Sequence, residues 1–292
     1  MLENRCAYYF LTTALLFLGI SFIESDGHAK SSSRDVTNEQ SGERVQRLLS
    51  DQQIDDSDAI NLIFKEDDKA LPILLGALRE GKNVERASWG VAYLGGPKER
   101  EILRNVIAGE KDQEKKWLMA SFLAGALVQP ASSEEWDFLE VCLRRYKNEN
   151  GGLASFSAAL ALGVNASPQA LHLLQTVVPP DQSSASDNDT VQEARRAILW
   201  IKQKSSIKTA TPSEKGSDLD QIKQIVLKDA FNADEEGKHL SVGDVVFTGD
   251  KGRALVSIEI YRGPKDAHSY DVVLERREGM WKITGVWFSW AA

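Results

Sequence analysis

Apolar positions recur at spacings of three and four through the middle of the chain and at spacings of two near its end. The sequence therefore divides into a helical part and a strand part. Val84, Ala87, Val91 and Leu94 fall on one helical face. Trp117, Ala120, Ala124 and Leu127 do the same in a second stretch, and Ala154, Ala158 and Ala161 mark a third. An Ala-Ser-aromatic step labels each copy. Ala87-Ser88-Trp89 returns 33 residues on as Ala120-Ser121-Phe122, and 34 residues after that as Ala154-Ser155-Phe156. Repetition at this period is the pattern of stacked helical hairpins. Small residues let neighbouring helices approach closely, and larger ones fill the gaps between layers.

Start signals predict the second helix of each hairpin. Pro97 follows Gly95-Gly96, Ser132 and Glu135 have capping-box spacing, and Ser167-Pro168 pairs a cap residue with a proline at the first helical position. The predicted second helices run over 101–107, 136–143 and 170–177. A fourth first helix, 191–201, follows a polar insertion at 179–190, and its Ala194 stands 40 residues after Ala154. Upstream, Val45, Leu48 and Leu49, then Ile60, Leu62 and Ile63, then a helix opened near Pro72, predict a first hairpin.

After a stretch of Lys, Ser, Thr, Pro and Gly without apolar periodicity comes one helix, from Leu219 to about Ala233. Four period-two segments follow at 240–247, 253–261, 269–275 and 280–290, separated by turn signals. One helix and an antiparallel meander make an α+β unit. Strict alternation along the last segment puts Trp281, Ile283 and Trp287 on one side and Phe288 and Trp290 on the other, unless Gly285 makes a bulge that resets the register. One helix cannot cover both sides of such a sheet. Most of Tyr261, Tyr270, Trp281, Trp287 and Trp290 are expected in the core, and an exposed patch among them is the candidate binding surface.

Residues 6–23 form a nearly unbroken apolar run behind Arg5, which reads as a secretory signal peptide or, alternatively, an uncleaved membrane anchor. In either case the body lies outside the cytoplasm, periplasmic or secreted. The expected organisation is a signal peptide or anchor at 1–26, a disordered tether at 27–40, a helical array at 41–204, a linker at 205–216 and an α+β domain at 217–292. A net charge of −8 and a pI near 5.2 argue against general nucleic-acid binding. Of the two cysteines, Cys6 falls at the edge of the apolar run, and Cys142 reads as a small buried hydrophobe, so neither a disulfide framework nor a zinc site can be built. No phosphate loop, His-Glu-x-x-His, Gly-x-Ser-x-Gly or calcium-loop spacing occurs. The expectation is no catalytic residue, no metal and no cofactor.

Val84-x-Arg-Ala with Gly90-Val-Ala-Tyr-Leu-Gly-Gly-Pro97, and Ala158-Ala-Leu-Ala-Leu-Gly163 with Pro168-Gln-Ala-Leu-His-Leu-Leu174, resemble HEAT repeats of the short type named after phycobilisome lyases. The resemblance covers roughly residues 55 to 204. It implies an α-solenoid used as a scaffold or protein-binding surface. The ending Val273-Leu-Glu-Arg-Arg-Glu-Gly-Met-Trp-Lys-Ile-Thr-Gly-Val-Trp287 is similar to the last hairpin of cystatin-like, nuclear-transport-factor-2-like domains. In that family this hairpin forms one wall of a cone-shaped sheet, and the enzymatic members carry Asp and His in the cavity. Asp271 and His268 are the only nearby residues of those types, and their placement near a predicted turn or strand edge leads us to expect them solvated.

The chain thus reads as an exported, non-enzymatic scaffold or binding protein with a protein partner. It would touch a membrane only through an uncleaved N-terminal anchor. The alternative makes the C-terminal domain a small-molecule-binding or isomerase-like module positioned by the repeats.

Overall fold

The computed structural model describes residues 41–147, 152–178, 189–206, 217–227, 239–263 and 266–291. The apolar run, the tether, residues 207–216 of the expected linker and residues 179–188 of the insertion lie outside them. Among the described residues no helix is long and apolar enough to cross a membrane.

Eleven α-helices among the described residues precede a four-stranded sheet. They are α1 (Ser41–Ser50), α2 (Asp56–Lys65), α3 (Leu71–Glu80), α4 (Val84–Leu94), α5 (Pro97–Gly109), α6 (Gln113–Gly125), α7 (Ser133–Leu143), α8 (Gly152–Asn165), α9 (Pro168–Gln175), α10 (Asp189–Ser206) and α11 (Asp218–Ile225). The strands β1 (His239–Phe247), β2 (Arg253–Gly263), β3 (Asp266–Arg277) and β4 (Met280–Ala291) form an open antiparallel meander in sequence order. The expectation of helices followed by a small sheet-containing unit holds at this level.

The helix starts follow their local chemistry. Ser132 and Ser167 accept hydrogen bonds from the N–H groups of Glu135 and Ala170, and prolines occupy the first turns of α3, α5 and α9. Glu135 does not close the reciprocal half of a capping box. Its carboxylate takes the Ala131 N–H and the Arg100 guanidinium instead, so this start is tied to α5.

Helices α4, α6, α8 and α10 pack side by side in chain order, and α5, α7 and α9 pack behind them. The repeated step explains the close fit. Ala87, Ala120 and Ala154 are fully buried, and Ser88, Ser121 and Ser155 beside them are buried too. Ser155 Oγ meets Thr190 Oγ1 of α10 at 2.8 Å, and Gly163 lies against Ala197.

Every residue from Ala154 to Gly163 is buried. A helix apolar all round needs cover on every side. Neighbours α6 and α10 flank α8, α7 and α9 back it, and β4 closes the remaining side.

Two irregularities in β4 decide which way its side chains point. Val273 pairs with Gly285 while Leu274 pairs with Ile283, and Tyr270 pairs with Phe288 while Ser269 pairs with Trp290. Thr284 and Ser289 are therefore extra residues, and the bulge beside Gly285 resets the alternation. Trp281 and Ile283 lie on the same side as Val286 and Phe288, packed with Ile222 and Val226 of the α11 segment. Trp287 does not share that side, as unbroken alternation would require. It joins Leu255 and Val273 in the core of the helical rows.

Both faces of the sheet are covered in this way over the middle of β2, β3 and β4, while β1 stays largely open. The free edge of β4 is covered as well: Gln129 donates its side-chain amide to the Ile283 carbonyl at 3.1 Å, and Gly125 faces the Val286 carbonyl. The described residues form one compact unit.

Candidate functional site

The most elaborate polar arrangement lies where the sheet meets α4 and α6. Trp89 and Tyr93 are four residues apart on α4 and share a face. Across the sheet, Ser257 pairs with Asp271 and Asp271 with Trp287, so a serine, a carboxylate and an indole stand in one row, one from each of three strands. Tyr93 donates its hydroxyl to Asp271 Oδ2 at 2.8 Å, and Ser257 donates to Oδ1 at 2.9 Å. A further side-chain hydrogen bond comes from Ser289.

The Trp287 ring lies 4.2 Å from that of Tyr93, and its Nε1 donates to the Phe122 carbonyl at 2.8 Å. Trp89 stacks on Phe122 at 5.3 Å and meets Tyr93 edge-on. In the third copy of the repeat Phe156 meets Phe288 of the sheet. Of the three aromatics of the repeated step, Phe156 meets the sheet directly, while Trp89 and Phe122 stack on each other beside Tyr93 and Trp287. The corresponding position on α10 is Arg196, which pairs with Glu193 instead.

Burial pushes the Asp271 carboxyl above the usual aspartate range, and the hydroxyl donors only partly offset it. Burial, then the neighbouring Asp271 charge, pushes the Tyr93 phenol well above its ordinary value, so it stays a neutral donor. Chemically the cluster is a desolvated carboxylate held by hydroxyls. It serves as a polar tie between helix and sheet.

The expectation of solvated Asp271 and His268 is corrected here. Asp271 is only 6% exposed, because Val273, Leu255 and Trp287 bring its face of the sheet under α4 and α6. His268 lies on the other face, stacked on Tyr270 and edge-on to Phe288, so the two cannot work together. The five proposed surface aromatics are likewise dispersed. Tyr270 and Trp281 are buried on the α11 side, where Trp281 Nε1 donates to Asp218 at 3.3 Å. Trp287 is buried on the helical side, and Tyr261 alone is found exposed, at 46%. The Trp290 side chain lies outside the described residues.

A second feature is open to solvent. A cavity of about 320 Å³ lies between the end of α1, the start of α2, the α3–α4 turn and α6, with Leu49, Asp56, Asn83, Arg86, Lys115 and Met119 among its walls. Arg86 is part of its wall. Nη1 donates to the carbonyls of Leu48 and Asp51 at 2.7 and 2.6 Å, Nη2 to that of Ile54 at 2.6 Å, and Nε to the Asp56 carboxylate. Four of the five guanidinium N–H groups thus hold the α1–α2 loop.

Among the described residues no group of three or more His, Cys, Asp or Glu could hold a metal ion. Cys142 is buried, and burial pushes its thiol far up, away from reactivity. Comparison with protein-family models, with curated proteins and with solved structures gives no significant match.

Sequence reasoning did not find the Tyr93–Asp271 tie or the Arg86 clamp. One signal was present for the first: Asp271 is flanked by Tyr270 and by Val272-Val273-Leu274, a run apolar on both alternations. A strand covered on both faces reads that way, and an acid inside it needs partners.

Proposed function

We propose that this chain is an exported, non-enzymatic scaffold or binding protein. It would use a HEAT-like array of helical hairpins for protein–protein interaction, with a cystatin-like α+β module fixed against the array. The observation that carries this reading is the pairing of α4 with α5, α6 with α7 and α8 with α9 around the repeated Ala-Ser-aromatic step. The sheet packs on Tyr93 of α4 and Phe156 of α8 and bonds the Phe122 carbonyl of α6, which leaves the outer faces of α5, α7 and α9 to a partner. Lys98, Glu101 and Asn105 on α5, Glu134, Asp137 and Val141 on α7, and His172 and Gln175 on α9 are exposed there at helical spacing. Val141 is an apolar side chain 52% exposed in the middle of this face.

The reading of the C-terminal module as a small-molecule or isomerase-like site has less support. Tyr270 and Trp287, which it would bring together around one ligand, stand on opposite faces of the sheet. Asp271, its best candidate for chemistry, already accepts from three hydroxyls.

The test is cross-linking in the native host with the full chain, with a Asp137→Arg, Val141→Arg variant and with Tyr261→Arg. A specific adduct lost only in the α7 variant supports the proposal. An adduct lost only with Tyr261→Arg moves recognition to the sheet. Catalytic turnover of a small molecule by the purified chain would overturn the non-enzymatic reading.

A further inference from the structure

Several polar contacts fasten the sheet to the helices, and in two of them there are more carboxyls than cations to neutralise them. The first is Asp271, faced by Tyr93 from α4, Ser257 from β2 and Ser289 from β4. All three are neutral hydroxyls, and no cation among the described residues pairs with it.

The second lies at the β1–β2 turn, which sits on the α2–α3 connection. Arg253 Nη1 reaches Asp67 at 3.2 Å and Asp68 at 3.1 Å. Asp250 turns its carboxyl inward to take the Thr248 hydroxyl and the Gly252 N–H, both at 2.7 Å, and it also faces Asp67. Three carboxyls thus share one guanidinium, and Asp67 is held there in a left-handed backbone conformation, φ 54.

We propose that the seat of the sheet on the helices is proton-linked: protons taken up at Asp271 and Asp67 tighten it, and their loss as pH rises loosens the β1–β2 turn and the β3–β4 side of the sheet from α2, α4 and α6. The aromatics uncovered by that movement are Tyr93 and Trp287, so the device would switch an apolar surface of the array between covered and open.

Titration supports the direction. Burial, then the Asp250 charge, raises the Asp67 carboxyl, and burial raises that of Asp271. A carboxyl raised in the folded state favours the protonated form, so its contribution is fully present below the unfolded value near 3.9 and is lost as pH rises through the folded value. Asp250 works the other way, since the Gly252 N–H lowers it first, but that loss falls below the ordinary aspartate range. Of these three carboxyls, only Asp67 and Asp271 lose stability as pH rises above the unfolded value.

The experiment is hydrogen exchange on the full chain at about pH 4 and about pH 8, corrected for the intrinsic rate. The expected result is that opening of the amides at 271–274 and 285–287 increases by up to about tenfold per carboxyl for each pH unit in which it titrates. The amides of α8 are compared as an internal standard. Asp67→Asn with Asp271→Asn should flatten the response. Tyr93→Phe, which leaves Asp271 titratable with one donor fewer, should enlarge it and keeps the test available where the double variant does not fold. Equal opening at both pH values in the unaltered chain, or a response undiminished in the folded double variant, would overturn the proposal. A smaller response in Tyr93→Phe would count against it in the same way.

Discussion

The indole of Trp287 lies directly against Gly125: a Cβ placed on that glycine would stand 2.4 Å from two atoms of the ring. On the other side the same ring crosses Gly285 of its own strand, with a hypothetical Cβ only 2.0 Å away. Two glycines 160 positions apart in the sequence therefore make a slot for one side chain, half from a helix and half from a strand. The contact is too close for the neighbour to yield by a rotamer change, since the Val286 backbone carbonyl is also within 2.6 Å of the site. Gly125→Ala should destabilise the fold by about 1–3 kcal/mol, as over-packing of a well-filled core does. Urea unfolding of the two proteins side by side checks this. An unchanged midpoint would show that the slot is loose.

Trp287→Ala removes the other half of the same relationship. The indole is buried, and its Nε1 is bonded to the Phe122 carbonyl. A loss of about 3–5 kcal/mol is expected, typical of a large aromatic deleted from a core. Trp287→Phe keeps most of the packing and leaves the carbonyl without its donor, so it should lose less. Thermal or chemical unfolding ranks the three proteins. The ranking fails if the phenylalanine variant is as unstable as the alanine one.

Tyr93→Phe isolates the tie to Asp271. The buried carboxylate keeps Ser257 and Ser289 but loses its Oδ2 donor. The expected cost is about 1–3 kcal/mol where the carboxyl is charged. Because burial already raises this carboxyl, removing a donor raises it further, and the penalty should be no larger at pH 5 than at pH 8. Unfolding measured at both pH values gives the sign. A penalty larger at pH 5 would contradict it.

Arg86→Lys tests the clamp beside the open cavity. One ammonium cannot replace a planar guanidinium that serves three carbonyls and the Asp56 carboxylate at once. A loss of about 1–3 kcal/mol is expected, because partly buried carbonyls are left without donors. Exchange of the amides at 51–55 should rise with it, and a protected loop in this variant would show that the clamp is dispensable.

Much of this organisation can be read in the chain, and the remainder has identifiable physical reasons. The period of the Ala-Ser-aromatic step corresponds to α4, α6 and α8 standing side by side, because small residues at Ala87, Ala120 and Ala154 are what close helix packing requires. The four strands are visible as period-two segments, and Gly285 marks the place where β4 changes register.

The cover on the sheet was also written in the sequence, but in a pattern easily passed over. Ala254-Leu-Val256, Val272-Val-Leu274 and Val286-Trp-Phe288 are apolar at consecutive positions, as strands buried on both faces are. Ala154 to Gly163 has no polar face, which a free-standing hairpin would need. Pairings across long separations are different in kind. Tyr93 and Asp271 are 178 residues apart, and nothing local to either residue names the other. The direction of Trp287 depends on a single extra residue at Thr284, so counting by twos places it on the wrong face.

The central claim is that the helices and the sheet are one cooperative body, joined through Trp287, Asp271 and the Arg253 contact with Asp67 and Asp68. Equilibrium urea unfolding at pH 5 tests it most directly, with helix content followed by circular dichroism and the β3–β4 amides by pulsed hydrogen exchange. The account predicts that the two signals change together, with one midpoint and one slope. A sheet that exchanges fully while the helical signal is still intact would contradict it.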